Sequence, residues 1–325
     1  MTLDHDLIAL YEAPAPMTAS ASAPSGYLHS EYAASLSNFG RPRHLPLSDG
    51  WILVRDTSDG AIDAMGPYPL FACRDWSALH RDLAALSETG LVSLGLVADP
   101  FGGWTKEDLQ RCFPDKLVRF KDHFVVDLQE VKFEALSKHH RYYARKAMRE
   151  VEVDVLCGDP IEFLEDWTRL YHTLAVRHGL TGIKAFSRST FARQLVIPGM
   201  VVLRAREAGE TIGAHLWYVQ GDVAYSHLAA LNDRGYQLNG SYALYWCAMQ
   251  HFQQRVRWLE IGAGAGTSTD ADDGLTRFKR GWASGTRPVW FCGRIFDRTR
   301  YDSMVLTQGV RQTDYFPAYR QGELG

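Results

Sequence analysis

Leu259-Glu260-Ile261-Gly262-Ala263-Gly264-Ala265-Gly266, running on through Asp273-Gly274-Leu275-Thr276-Arg277-Phe278-Lys279-Arg280-Gly281-Trp282, is the stretch on which the fold turns. An apolar strand enters alternating glycines, crosses an acidic turn and returns as Phe-Lys-Arg-Gly-Trp. Glycine lacks a Cβ, so this backbone reaches positive φ freely and lets another group approach closely. The returning segment carries the densest positive charge near any loop of the chain.

A strand followed by Gly-x-Gly-x-Gly also resembles the nucleotide-binding turn of a doubly wound sheet. Such a turn should open a helix, with an acid closing the next strand about 20 residues later. Here the glycines lead into Thr267-Ser268-Thr269-Asp270, and the next strand candidate, Val289–Cys292, ends without an acid. Too little chain follows to complete a doubly wound sheet, so the dinucleotide and methyl-donor readings are set aside.

The chain has 325 residues, 46% hydrophobic and 22% charged, an ordinary globular composition long enough for two domains. No apolar run approaches the ~20 residues of a membrane helix. The N-terminus offers only Leu7-Ile8-Ala9-Leu10 between acids, which is no signal peptide. Five scattered cysteines without a Cys-x-x-Cys fit a reducing cytoplasm and argue against zinc or any other metal site. The net charge of −3 is unevenly spread, with +5 on residues 132–149 and +6 on residues 277–300. Two basic patches on an acidic remainder point to phosphate-bearing ligands, unless each is only a solvated face.

Residues 1–26 include an Ala/Pro/Ser/Thr-rich run expected to be disordered. Over 27–131, strands at Trp51–Arg55, Leu91–Val97 and Phe124–Leu128 alternate with helices at Ser30–Leu36, Trp76–Ser87 and Lys106–Cys112. Thr105 and Asp108 have capping-box spacing before the last of these. Residues 132–150 read as a connecting helix, with Phe133, Leu136, His140, Tyr143 and Ala147 on one stripe and Lys138, Arg141, Arg145 and Arg149 on the opposite one.

Residues 151–325 begin with a strand at Val151–Leu156, then a helix capped by Asp159 and ended by Gly179, then a second helix over Ser187–Val196. Strands at Met200–Arg206, Thr211–Val219 and Val223–Leu231 follow through hairpin turns. A buried helix over Asn239–Gln254 and a strand at Trp258–Ile261 complete the run.

Strand, two helices, three antiparallel strands, helix, strand resembles the order of the GNAT acyltransferase fold. In detail the chain resembles the FemABX-like tandem-GNAT proteins. Three stretches carry the likeness: Val125–Leu128 leading into Ser137-Lys138-His139-His140-Arg141; Val223–Ala230 before the buried helix; and Leu259–Gly262 with Gly274–Gly281. The resemblance implies an α/β (α+β) protein of two GNAT-like domains in tandem, with mixed, mostly antiparallel sheets flanked by helices. It also implies amide formation from an activated acyl donor, with no bound cofactor. Aminoacyl-tRNA is the donor of most Fem-type members and acyl-CoA that of others. The amine acceptor is then a cell-wall precursor or a specialised metabolite. A degenerate pair serving as a binding scaffold is the non-catalytic alternative.

Amine attack on an ester or thioester puts charge on the carbonyl oxygen and leaves a proton to remove. Lys279 aligns with the family's Phe-Lys pair and is the leading oxyanion donor, with Phe278 as its anchor and Arg280 beside it. A purely phosphate-binding lysine is the bland reading. For the proton, His215 and His227 lie in central strands, with Tyr225 on the same face as His227. Strand histidines otherwise serve as core hydrogen-bonding groups. A CoA-dependent GNAT has Gln/Arg-x-x-Gly-x-Gly/Ala before the buried helix, where amides hold pyrophosphate. This chain has Gln237-Leu238-Asn239-Gly240-Ser241-Tyr242, and the bulk of Tyr242 favours aminoacyl-tRNA. Arg141 and Arg145 are expected to meet donor phosphates.

Overall fold

The computed structural model describes residues 23–157, 160–264, 273–310 and 313–323. In the C-terminal half, β6 (Glu152–Cys157), β7 (Met200–Glu207), β8 (Glu210–Gln220) and β9 (Val223–Leu231) form an antiparallel meander. The β7–β8 turn is two residues long, Ala208 and Gly209, with φ of 49° and 88°. Positive φ at both positions suits the right-handed twist of the strands it joins. Helix α8 (Gly240–Phe252) then returns the chain to β10 (Trp258–Glu260), which is parallel to β9.

The N-terminal half repeats the plan. β1 (Arg41–Leu45), β2 (Gly50–Asp56) and β3 (Ile62–Met65) are antiparallel, and α2 (Leu79–Leu86) returns the chain to β4 (Leu91–Val97), parallel to β3. Each half then continues through a seven-residue helix, α3 (Lys106–Cys112) or α9 (Gly274–Arg280), into a long strand, β5 (Lys116–Asp127) or β11 (Gly285–Ile295). These last strands are exchanged. β11 lies between β4 and β5, and β5 pairs with β10, so the described residues form one sheet in the order β1-β2-β3-β4-β11-β5-β10-β9-β8-β7-β6. The strand after the glycines thus runs antiparallel to both neighbours, which a doubly wound sheet does not do.

One face of the C-terminal half is covered by α4 (Lys138–Ala147), α8 and Trp282, and the other by α5 (Leu164–His178) and α6 (Arg188–Gln194). The chain from Ser25 through α1 (Ser30–Ser35) packs on this second face and also against β1 and β2 of the half that follows it in sequence. Gly26 N donates to Pro198 O at 3.0 Å, and Tyr27 is buried against Tyr218.

Several boundaries differ from expectation. The connecting helix is only α4, preceded by a separate 3-10 turn at Phe133–Ala135, because Ser137 leaves the helical region and its hydroxyl accepts from His140 N. Thr105 and Asp108 form the expected capping box, and Gly179 ends α5 at φ 58°. Asp159, much of residues 1–26 and Gly266 of the alternating glycines lie outside the described residues. β1, β3, α7 (Asp233–Gln237) and α10 (Arg298–Thr307) were not anticipated. Among the described residues no helix is long and apolar enough to cross a membrane.

Candidate functional site

The β9–β10 ladder holds at Trp258–Val223, Leu259–Ala224 and Glu260–Tyr225 and stops there, while β9 continues to Leu231. The chain after Glu260 keeps instead to β5. Ile261 N donates to Phe124 O and Phe124 N to Gly262 O, both at 3.0 Å. The sheet therefore parts between the end of β9 and the Ile261–Gly264 segment, at the centre of the molecule.

Lys279 reaches this parting from α9. The helix starts at Asp273, whose Oδ1 accepts from Leu275 N and Thr276 N, so the Phe-Lys-Arg segment is helical rather than the basic loop expected. Lys279 Nζ donates to Ala263 O at 2.6 Å and lies 3.0 Å from where a Cβ on Gly262 would stand. Gly262 has φ +71°, so this close approach needs glycine twice over. Burial lowers the ammonium's pKa to about 8; Glu260 opposes the shift and Lys121 adds to it.

Glu260 ends β10 and is 3% exposed. Its Oε1 accepts from Gly262 N and from His123 Nδ1, each at 2.7 Å, which ties the glycine segment to β5. Beside it, Tyr225 donates to both oxygens of Asp99 at 3.0 and 2.9 Å, and Phe101 N donates to the same carboxylate. Burial raises the Asp99 pKa to about 6 despite those donors. Arg287 caps this corner, its guanidinium 4.1 Å from the Phe101 ring and 4.8 Å from that of Trp258. Glu260, His123, Asp99 and Lys121 were not singled out from sequence. The acid inside the apolar run Leu259-Glu260-Ile261 is the signal that marks the first of them, since carboxylates are rarely buried unpaired.

The two strand histidines separate. His215 lies on the α8 side, 0% exposed, with Nε2 2.7 Å from Ser226 Oγ and its ring against Trp217 and Tyr245. Burial, then the Lys279 charge, lowers its pKa to about 3. His227 lies on the opposite side with Tyr225, as the alternation predicts. Its Nε2–H donates to Gln194 Oε1 and its Nδ1 accepts from Tyr27 OH, both at 3.2 Å. Burial lowers its pKa to about 3 as well. Both rings are neutral at pH 7, and so weak a base takes up a proton poorly. Each ring is held by buried neighbours, His215 through Ser226 and His227 through Gln194 and Tyr27, as core hydrogen-bonding groups are.

At the donor loop, Asn239 takes a left-handed turn (φ 58°) that joins α7 directly to α8. Gly240 is buried, and a Cβ there would stand 2.9 Å from Leu231 Cδ2. Ser241 is half-buried and Gln237 exposed, the latter's amide oxygen accepting from Arg234. Tyr242 lies in the first turn of α8 and packs against α4 and α9. Its ring lies 5.0 Å from Phe278 and 5.3 Å from both His140 and Tyr143. Phe278 in turn packs on Tyr245, and His140 Nε2 donates to Phe278 O at 2.8 Å, which locks α4 to α9.

Arg141 and Arg145 are half-buried on α4, and Arg280 is exposed at the end of α9. The second basic patch is dispersed by the fold. Arg294 donates to Cys112 O, Arg298 pairs with Asp115 and Arg300 with Asp59, all on the N-terminal half. Only Arg277, Lys279 and Arg280 stay together, on α9.

No protein-family model and no curated protein matches the sequence. Solved structures do. FemX superposes with a TM-score of 0.64 at 12% identity, covering 87% of this chain and 96% of that one. The C-terminal domain (DUF2156) of a putative lysylphosphatidylglycerol synthetase from Agrobacterium fabrum gives 0.60 at 12% identity, covering 88% and 92%. L-PGS from Bacillus licheniformis gives 0.57 at 14% identity, covering 90% and 100%. At these identities the likeness is one of fold: the chain has the Fem-type tandem-GNAT architecture over nearly its whole length.

Proposed function

We propose that this chain, built on the fold of FemX and of the lysylphosphatidylglycerol synthetase domain, is an acyltransferase that passes an aminoacyl group from aminoacyl-tRNA to an amine. The observation that carries the proposal is the Lys279 ammonium at the parting of β9 and β10, held by Ala263 O and sensed by Glu260. The amine nitrogen attacks the ester carbonyl and forms the C–N bond, and the carbonyl electrons move onto oxygen. Collapse breaks the bond to the donor's ribose oxygen, which departs with the proton the amine gives up. Lys279 supplies the positive charge that this oxyanion meets. The weak basicity of His215 and His227 leaves the departing oxygen as the proton's destination.

The bulk of Tyr242 in the first turn of α8, where a CoA-dependent GNAT has a small residue, supports aminoacyl-tRNA over acyl-CoA. The acceptor is an amine on a cell-wall precursor or a specialised metabolite. Incubation with intact or RNase-treated aminoacyl-tRNA, and separately with acetyl-CoA, tests the donor. Amide formation abolished by RNase supports the reading, and transfer that survives RNase and requires the CoA thioester refutes it.

A further inference from the structure

We propose that the outer face of α4, with the first turn of α8, is a stacking platform for unpaired RNA nucleotides that leads to Lys279. The inference rests on the aminoacyl-tRNA reading and names the surface that would hold the end of that donor.

The geometry is a ladder of rings running from solvent to the site. Tyr142 is 62% exposed, unusual for so large a ring with nothing covering it. From it the ring centroids step 5.2 Å to Tyr143, 5.3 Å to Tyr242 and 5.0 Å to Phe278, the residue before Lys279. His139 widens the ladder, 4.6 Å from Tyr143, with Nε2 3.2 Å from the Tyr242 hydroxyl. Every base has a π-face, and stacking on such rings contributes ~1–3 kcal/mol per base without regard to sequence.

Charge runs beside the rings. Lys138, Arg141 and Arg145 recur at three- and four-residue steps along the same helix, with Arg149 in the turn after it, and the helix's first turn has no acid. Arg141 Nε has no hydrogen-bond partner within the protein. Cations flanking aromatic faces suit a flexible polyanion whose bases are turned outward, whereas a duplex keeps its bases stacked on one another.

The test uses the full chain, a labelled four-nucleotide single-stranded RNA, a blunt RNA duplex and CoA as competitor, read by fluorescence anisotropy. The single strand should bind more tightly than the duplex. Tyr142→Ala should weaken it by about five- to hundredfold, the range set by one stacked base, while Tyr142→Phe should retain it. Tyr142 is exposed, so the unfolding midpoint of the alanine variant should match the parent. Equal affinity for strand and duplex, an unchanged Tyr142→Ala variant, or displacement of the strand by CoA would overturn the platform. Donor class and platform fail separately. Transfer from aminoacyl-tRNA with an unaltered KM in Tyr142→Ala refutes the platform alone. Tight, Tyr142-dependent RNA binding by a protein that transfers only from acyl-CoA refutes the donor alone.

Discussion

Gly281→Ala is the sharpest test of how the site's scaffold is held. Gly281 closes α9 with φ −70°, so backbone strain plays no part in its cost. The obstacle is the ring of His140: a Cβ on residue 281 would stand 1.9 Å from Cε1 and 2.2 Å from Nε2. That ring has no cheap way out. Nε2 donates to Phe278 O at 2.8 Å, Nδ1 lies 3.2 Å from Ser137 Oγ, and the ring stands edge-on to Trp282 at 5.1 Å. Losing a buried hydrogen bond costs about 1–3 kcal/mol, and overpacking a close-packed contact costs about 1–3 more. The substitution should therefore destabilise by roughly 2–6 kcal/mol, read as a lower urea midpoint by tryptophan fluorescence. Activity should fall alongside, since α9 carries Lys279. In a His140→Ala background the added methyl enters vacated space, so its cost should shrink to less than half. An unchanged midpoint, or the same cost in both backgrounds, would show that this ring does not fill the space.

Lys279→Ala should leave the unfolding midpoint near the parent's while the transfer rate drops by ~10²–10³; a rate within threefold of the parent's would remove Lys279 from the chemistry. The ammonium dominates below its pKa of about 8 and is lost above it, so the rate should decline as pH rises through that value. Glu260 raises the Lys279 pKa and Lys121 lowers it, so Glu260→Gln should move the alkaline limb to lower pH and Lys121→Met to higher pH. Shifts in the same direction would contradict the assignment. Asp99 is raised from 3.8 to about 6, so its carboxylate opposes folding above pH 6, and that cost fades as pH falls towards the unfolded value. Asp99→Asn, which can still accept from Tyr225, should gain about 2–3 kcal/mol at pH 8 relative to its effect at pH 4; a gain independent of pH in urea titrations would refute the burial argument.

Where packing follows local periodicity, the sequence is easily read. Leu91–Val97 and Val223–Leu231 match β4 and β9 residue for residue, and the Thr105–Asp108 cap starts α3 where its spacing says. β1 escapes because Arg-Pro-Arg-His-Leu is an edge strand with mostly outward polar residues, and a proline is tolerated there. The same limit applies at the site. The Phe-Lys pair points to Lys279, but the groups that set its charge come from β10 and β5, and pairing partners leave no local trace in either strand. Alternation placed Tyr225 and His227 on one face correctly. It could not say that Tyr27, far away in the chain, would close over them.

The exchange of β5 and β11 explains why the site needs both halves. Had each long strand stayed with its own half, β11 would stand beside β10 in place of β5, and neither His123 nor Lys121 would stand near Glu260. Because β5 crosses over, its His123 holds Glu260, Glu260 holds Gly262 N, and the segment so fixed presents Ala263 O to Lys279. The C-terminal half supplies the ammonium, Glu260 and the parting of the strands; the strand lent by the N-terminal half supplies His123, which holds Glu260, and Lys121, which lowers the ammonium's pKa. The tandem arrangement is thus a condition of the site's electrostatics, since without the lent strand Glu260 would lose His123 and Lys279 would lose the neighbouring charge of Lys121.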